Sequence, residues 1–77
     1  MRRVQVFGPG CQKCETLRKN AETAIREMGI EAVVEKITDI DSMIEYGVLM
    51  TPALAVDGEV KSVGVVLDPE EIKPLLA

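Results

Sequence analysis

Apolar and polar positions alternate along "RRVQVF", with Val4 and Val6 on one face and Arg3, Gln5 and Phe7 on the other. A period of two predicts a short strand. "GPG" breaks it, and from Cys14 to Met28 the apolar positions become Leu17, Ala21, Ala24, Ile25 and Met28. That one-sided spacing predicts an amphipathic helix, with Glu15–Lys19 and Glu22–Arg26 as i,i+4 pairs on its other face. Gly29 suits the position just past its end. "IEAVVEKI" returns to strand character, placing Ala32 and Val34 opposite Glu31, Val33, Glu35 and Ile37.

Asp39 can then cap a short helix over residues 39–46 carrying Ile40, Met43 and Ile44, closed by Gly47. In "VLMTPALAVDGEVKSVGVV" the Asp57-Gly58 pair between apolar stretches signals a hairpin. The last segment, "DPEEIKPLLA", offers Asp68 as N-cap, Pro69 at the first helical position and Glu71 three residues past the cap. Pro74 should limit or bend that helix. The order β-α-β-α-β-β-α predicts an α/β fold: a parallel pair with a right-handed crossover, then an antiparallel hairpin. The result is a mixed four-stranded sheet flanked by three helices.

Composition narrows the function. The 77 residues are expected to form one domain spanning 1–77 with an aliphatic core, since there is one Phe, one Tyr and no Trp. A net charge of −4 argues against nucleic acid as a partner. The charge is uneven: residues 1–19 hold Arg2, Arg3, Lys13, Arg18 and Lys19 against Glu15 alone, so a +4 segment contains both cysteines. No apolar run approaches a membrane span and no leader-like segment follows the first arginines, so a cytoplasmic protein without a membrane partner is expected. In that compartment a cysteine pair is catalytic or metal-binding rather than a permanent staple.

The pair stands in "FGPGCQKC", where the first strand ends and the first helix begins. Helix N–H groups, the macrodipole and the neighbouring Lys13 all lower a thiol pKa there. Cys11, at the cap, is expected to be the exposed attacking thiolate. Cys14, one turn on, faces inward and is placed to resolve a mixed disulfide. Gly8 and Gly10 let the backbone turn with little cover, so Gly10 joins Lys13 as a candidate for tuning the site. A tetrahedral zinc site wants four Cys or His ligands, and this chain has two Cys and no His, so zinc would require two protomers. Two thiolates suffice for copper(I), and a soft-metal (copper or zinc) binding module using both thiolates is the alternative.

A second stretch, "MTPAL", puts Thr51-Pro52 at the start of a strand-like segment, a position the ladder tolerates for proline. With Cys-x-x-Cys after the first strand, Thr-Pro before the third, an Asp-Gly hairpin and a final short helix, the chain resembles the thioredoxin-like superfamily. It is closest in kind to small thioredoxin- and glutaredoxin-like redox-active disulfide proteins, and the likeness covers nearly the whole chain.

The resemblance implies a protein thiol–disulfide oxidoreductase with Cys11 as nucleophile and Cys14 as resolving thiol. It also implies a cis Thr51–Pro52 bond beside the disulfide, with the Thr51 backbone pairing with substrate. Protein disulfides and an upstream reductase would be the partners of a monomer. No cofactor is needed, because the cysteines carry the electrons. Gln12-Lys13 stands where thioredoxins have Gly-Pro, and Gly10 where they have Trp. Gly64 alone represents the glutathione-holding stretch of glutaredoxins, which counts against glutathione. Heavy-metal-associated domains, in contrast, run β-α-β-β-α-β.

Overall fold

The structure, a computed structural model, describes residues 1–10 and 12–77. Strand β1 (Arg2–Phe7) is followed by α1 (Gln12–Met28), β2 (Ala32–Ile37), α2 (Ile40–Glu45), β3 (Ala53–Val56), β4 (Glu59–Val63) and α3 (Pro69–Leu76). The strands lie in the order β2-β1-β3-β4. β1 runs parallel to β2, in register from Arg2 opposite Ala32 to Phe7 opposite Ile37, and antiparallel to β3. This is the mixed four-stranded α/β arrangement that the pattern predicts.

β1 and β3 are the inner strands, and that explains a departure from the alternation reading. Val4 and Val6 pack on Leu17, Ala21 and Ala24 of α1 and on Ile72 and Leu76 of α3. The opposite face is covered too: Phe7, Ala53 and Ala55 pack with Met43 and Val48. Phe7 is therefore a core residue, and Gln5 on the same face is buried as well. An inner strand with a layer on each side loses its solvent face. "ALAV" in β3, buried throughout, shows the same rule as a continuous apolar run.

Other differences are local. α2 carries Ile40, Met43 and Ile44, but only Met43 is buried, while Ile40 and Ile44 are exposed. A six-residue helix supplies one inward side chain, and Val48 completes the layer. On α1 the expected Glu15–Lys19 and Glu22–Arg26 pairs are replaced by a bridge centred on Arg18, which reaches Glu15 at 2.7 Å and Glu22 at 2.8 Å. Pro74 sits within α3, which runs on to Leu76. The bond it forgoes belongs to the carbonyl of exposed Glu70, which water can satisfy.

Two N-caps fix the starts of α2 and α3. Asp39 accepts from the Ser42 N–H at 3.0 Å. Asp68 and Glu71 form a reciprocal capping box, and the Asn20 amide donates to the Leu67 carbonyl at 2.9 Å, tying that cap to α1. The β3–β4 turn has Asp57 at φ 52° and Gly58 at φ 85°, the two left-handed positions of a type I′ hairpin. The Asp57 carboxylate accepts from the Arg3 N–H at 2.9 Å and from Arg2 Nη1 at 2.7 Å. No helix among the described residues is long and apolar enough to cross a membrane.

Candidate functional site

The ladder between β1 and β2 continues one residue past the strand, with the Gly8 N–H donating to the Ile37 carbonyl at 2.9 Å. Gly8 is thus held as an extension of the sheet, and its lack of a side chain is used at once. A Cβ built on Gly8 would collide with Sγ of Cys14, would lie 3.1 Å from its Cβ, and would come within 3.9 Å of Cβ of Thr51. The Cys14 sulfur therefore occupies the space that this glycine leaves, and Thr51 borders the same spot. From its place in "GPG", Gly8 is expected to let the backbone turn. Its role in the structure is close approach, and a glycine three residues before the first cysteine carried no signal to distinguish the two.

Cys14 is the third residue of α1 and is buried, with 5% of its surface exposed. Cys11 lies outside the described residues, so the expectation of an exposed attacking thiolate is not addressed by the geometry. Lys13 is exposed on the first turn of α1. Gly10 is exposed at φ 89°, with no heavy atom within 4 Å of the position a Cβ would take. Here the left-handed backbone does call for glycine.

The Thr51–Pro52 peptide bond is cis. Thr51 is exposed and Pro52 buried. The Pro52 carbonyl accepts from the Gly64 N–H at 2.8 Å, which fastens the loop to the end of β4. A Cβ on Gly64 would come within 3.1 Å of Cε of Met50, so Met50 lies over Gly64. Leu49 and Met50 are exposed beside the loop. Nothing in the apolar pattern singles out Met50, because an isolated methionine in a loop reads as filler.

Charge around the site differs from expectation. Arg2 and Arg3 belong to the basic segment in sequence, yet they stand at the start of β1, six and five residues from Gly8 and so roughly 16–20 Å away along the strand. Arg18 is engaged by two carboxylates. A uniformly basic surround for the cysteines is therefore not what the fold builds. Glu15 follows Cys14 in α1, and its carboxylate accepts from Lys36 Nζ at 2.8 Å and from Arg18 Nη2 at 2.7 Å. The hydrogen bond from Lys36 and then that from Arg18 hold its pKa down at about 2. That contact pins the first turn of α1 to β2.

Comparison with known proteins bears on this arrangement. A family model described as a thioredoxin domain matches residues 2–77. A thioredoxin of Methanothermobacter thermautotrophicus is 47% identical over 77 residues, covering all of both chains. A thioredoxin of Methanocaldococcus jannaschii is 37% identical over 70 residues, which is 91% of this chain and 80% of that one.

Proposed function

The chain belongs to the thioredoxin family of thiol–disulfide oxidoreductases, and from that premise we propose that it reduces protein disulfides through Cys11 and Cys14. The observation that carries this reading is the seat of Cys14: a buried sulfur at the start of α1, in the space left by Gly8 and bordered by Thr51. A resolving thiol needs to be shielded from outside disulfides yet close to a helix start.

Cys11 immediately precedes Gln12, the first residue of α1. The N-terminus of a helix favours a thiolate over a thiol, and exposed Lys13 adds a cation of modest effect. The Cys11 thiolate attacks one sulfur of the substrate disulfide, forming a mixed disulfide and expelling the other sulfur as a thiolate. The Cys14 thiolate then attacks the Cys11 sulfur. The Cys11–Cys14 bond forms, the substrate's second sulfur leaves, and two electrons have passed to the substrate with two protons taken up by its thiols. An upstream reductase returns both electrons.

Gly10 leaves the approach open. The exposed Thr51 backbone, next to Cys14, pairs with an extended substrate segment. The whole chain acts as one domain, as a monomer in the cytoplasm, without glutathione. The soft-metal module loses ground because the observed order, with α2 before the β3–β4 hairpin and α3 after it, is not that of heavy-metal-associated domains.

The test is trapping. Cys14→Ser, incubated with a protein disulfide such as oxidised insulin, should accumulate a covalent adduct that dithiothreitol releases. Cys11→Ser should form none. An adduct that forms only through Cys14, or none with either variant, would overturn the assignment.

A further inference from the structure

Four methionines stand in this chain, and the fold treats them differently. Met43 is buried in the α2-side layer, and Met28 is half-buried against the larger core. Met1 and Met50 are open to solvent, 85% and 61% exposed. Met1 precedes β1, at the end of that strand away from Gly8. Of the exposed two, Met50 is the one beside the Cys14 seat.

The surroundings of Met50 give its sulfur a defined place. Its Cε, Cβ and Sδ atoms lie 3.1, 3.3 and 3.5 Å from the point that a Cβ on Gly64 would occupy. The side chain therefore lies along the bare backbone of Gly64, and that glycine is tied by its N–H to the Pro52 carbonyl at 2.8 Å. Thr51, next in sequence, borders the same spot as the Cys14 sulfur. Leu49, 92% exposed, comes just before. Met50 is thus an apolar link between the loop before β3 and the end of β4, next to the residue whose backbone meets the proposed substrate segment. A thioether that takes up one oxygen becomes a sulfoxide, which turns a flexible apolar side chain into a polar one.

Resting on the disulfide-reductase reading, we propose that Met50 is a modification site at which hydroperoxides lower the activity toward protein disulfides. The Met50 Sδ lone pair attacks the outer oxygen of the hydroperoxide. The S–O bond forms as the O–O bond breaks, and sulfur is oxidised by two electrons. The peroxide is reduced to an alcohol or water, which keeps the proton of the transferred oxygen. The Gly64 N–H cannot serve the new sulfoxide oxygen, because it is already given to Pro52. A hydrated polar group then stands where a docking protein would meet a thioether. Covering that group without a partner is costly. A small disulfide, which needs no contact beyond the cysteines, escapes the cost.

The test begins with the full-length protein as its Cys11–Cys14 disulfide, which shields both sulfurs from peroxide. Hydrogen peroxide is added, and peptide mass spectrometry locates the oxygen taken up. Met1 and Met50 should be oxidised before Met28 and Met43. After peroxide is removed and the cysteines are reduced with dithiothreitol, kcat/KM for insulin should fall about tenfold, the order set by covering an unpaired polar group. The rate with the small aryl disulfide dithiobis(nitrobenzoate) should not change. Methionine sulfoxide reductases should restore the insulin rate. Met50→Leu, whatever its starting rate, should lose nothing on the same treatment. Oxidation that spares Met50, an insulin rate unmoved by its oxidation, an equal fall with both disulfides, or the same loss in Met50→Leu would each overturn the proposal. Inactivity of the untreated protein toward both disulfides would overturn the cysteine reading itself, and the proposal with it.

Discussion

Gly8 has no side chain because Cys14 needs the room. Replacing it by alanine puts a methyl group into the Cys14 sulfur. Overpacking of this kind costs about 1–3 kcal/mol, so Gly8→Ala should lower the denaturant midpoint at unchanged m-value, and it should also slow resolution of a mixed disulfide by shifting Sγ. Glu15 makes a different prediction. Its folded pKa, held at about 2 by Lys36 and Arg18, lies below its ordinary value of 4.5. A depressed carboxyl contributes stability that is complete above the unfolded pKa and is lost as pH falls through the folded one. Stability should therefore decline between about pH 4.5 and pH 2 by less in Glu15→Gln than in the native chain, read from thermal melts across that range.

The helix and hairpin ends were legible because they rest on local chemistry. Asp68, Pro69 and Glu71 mark the start of α3 in the sequence, and the capping box is present. Asp57-Gly58 marks the turn, and both residues have positive φ. Asp68→Ala should cost about 1 kcal/mol, the usual worth of an N-cap, measured by urea denaturation. What was not legible depends on partners distant in sequence. Alternation places Phe7 and Gln5 on the face opposite Val4 and Val6, but it cannot say whether a second layer covers that face. The sequence places Ile40, Met43 and Ile44 on one short helix, but three apolar positions do not reveal which of them a six-residue helix turns inward. Arg2 and Arg3 were grouped with the cysteines by sequence distance, although an extended strand carries them to its other end. In the candidate site, the Cys-x-x-Cys and Thr-Pro motifs were visible as spacing. The contact of Gly8 with Cys14 and Thr51 was not, since it arises only when the end of β1, α1 and the loop before β3 meet.

On the scale of the molecule, two core layers sandwich a sheet whose inner strands are β1 and β3, and α1 and α3 share the larger layer. Leu17 and Ile72 are fully buried there, so Leu17→Ala should destabilise by about 2–5 kcal/mol, a large part of the stability of a domain this small. The same sheet sets the Cys14 seat beyond the C-terminal end of β1. An equilibrium redox titration of the metal-free protein, with free-thiol counting, tests whether that seat serves a Cys11–Cys14 couple. A reversible two-electron transition joining Cys11 and Cys14 is expected at roughly −180 to −280 mV. Failure to form that intramolecular disulfide, or a transition below about −300 mV, would contradict it.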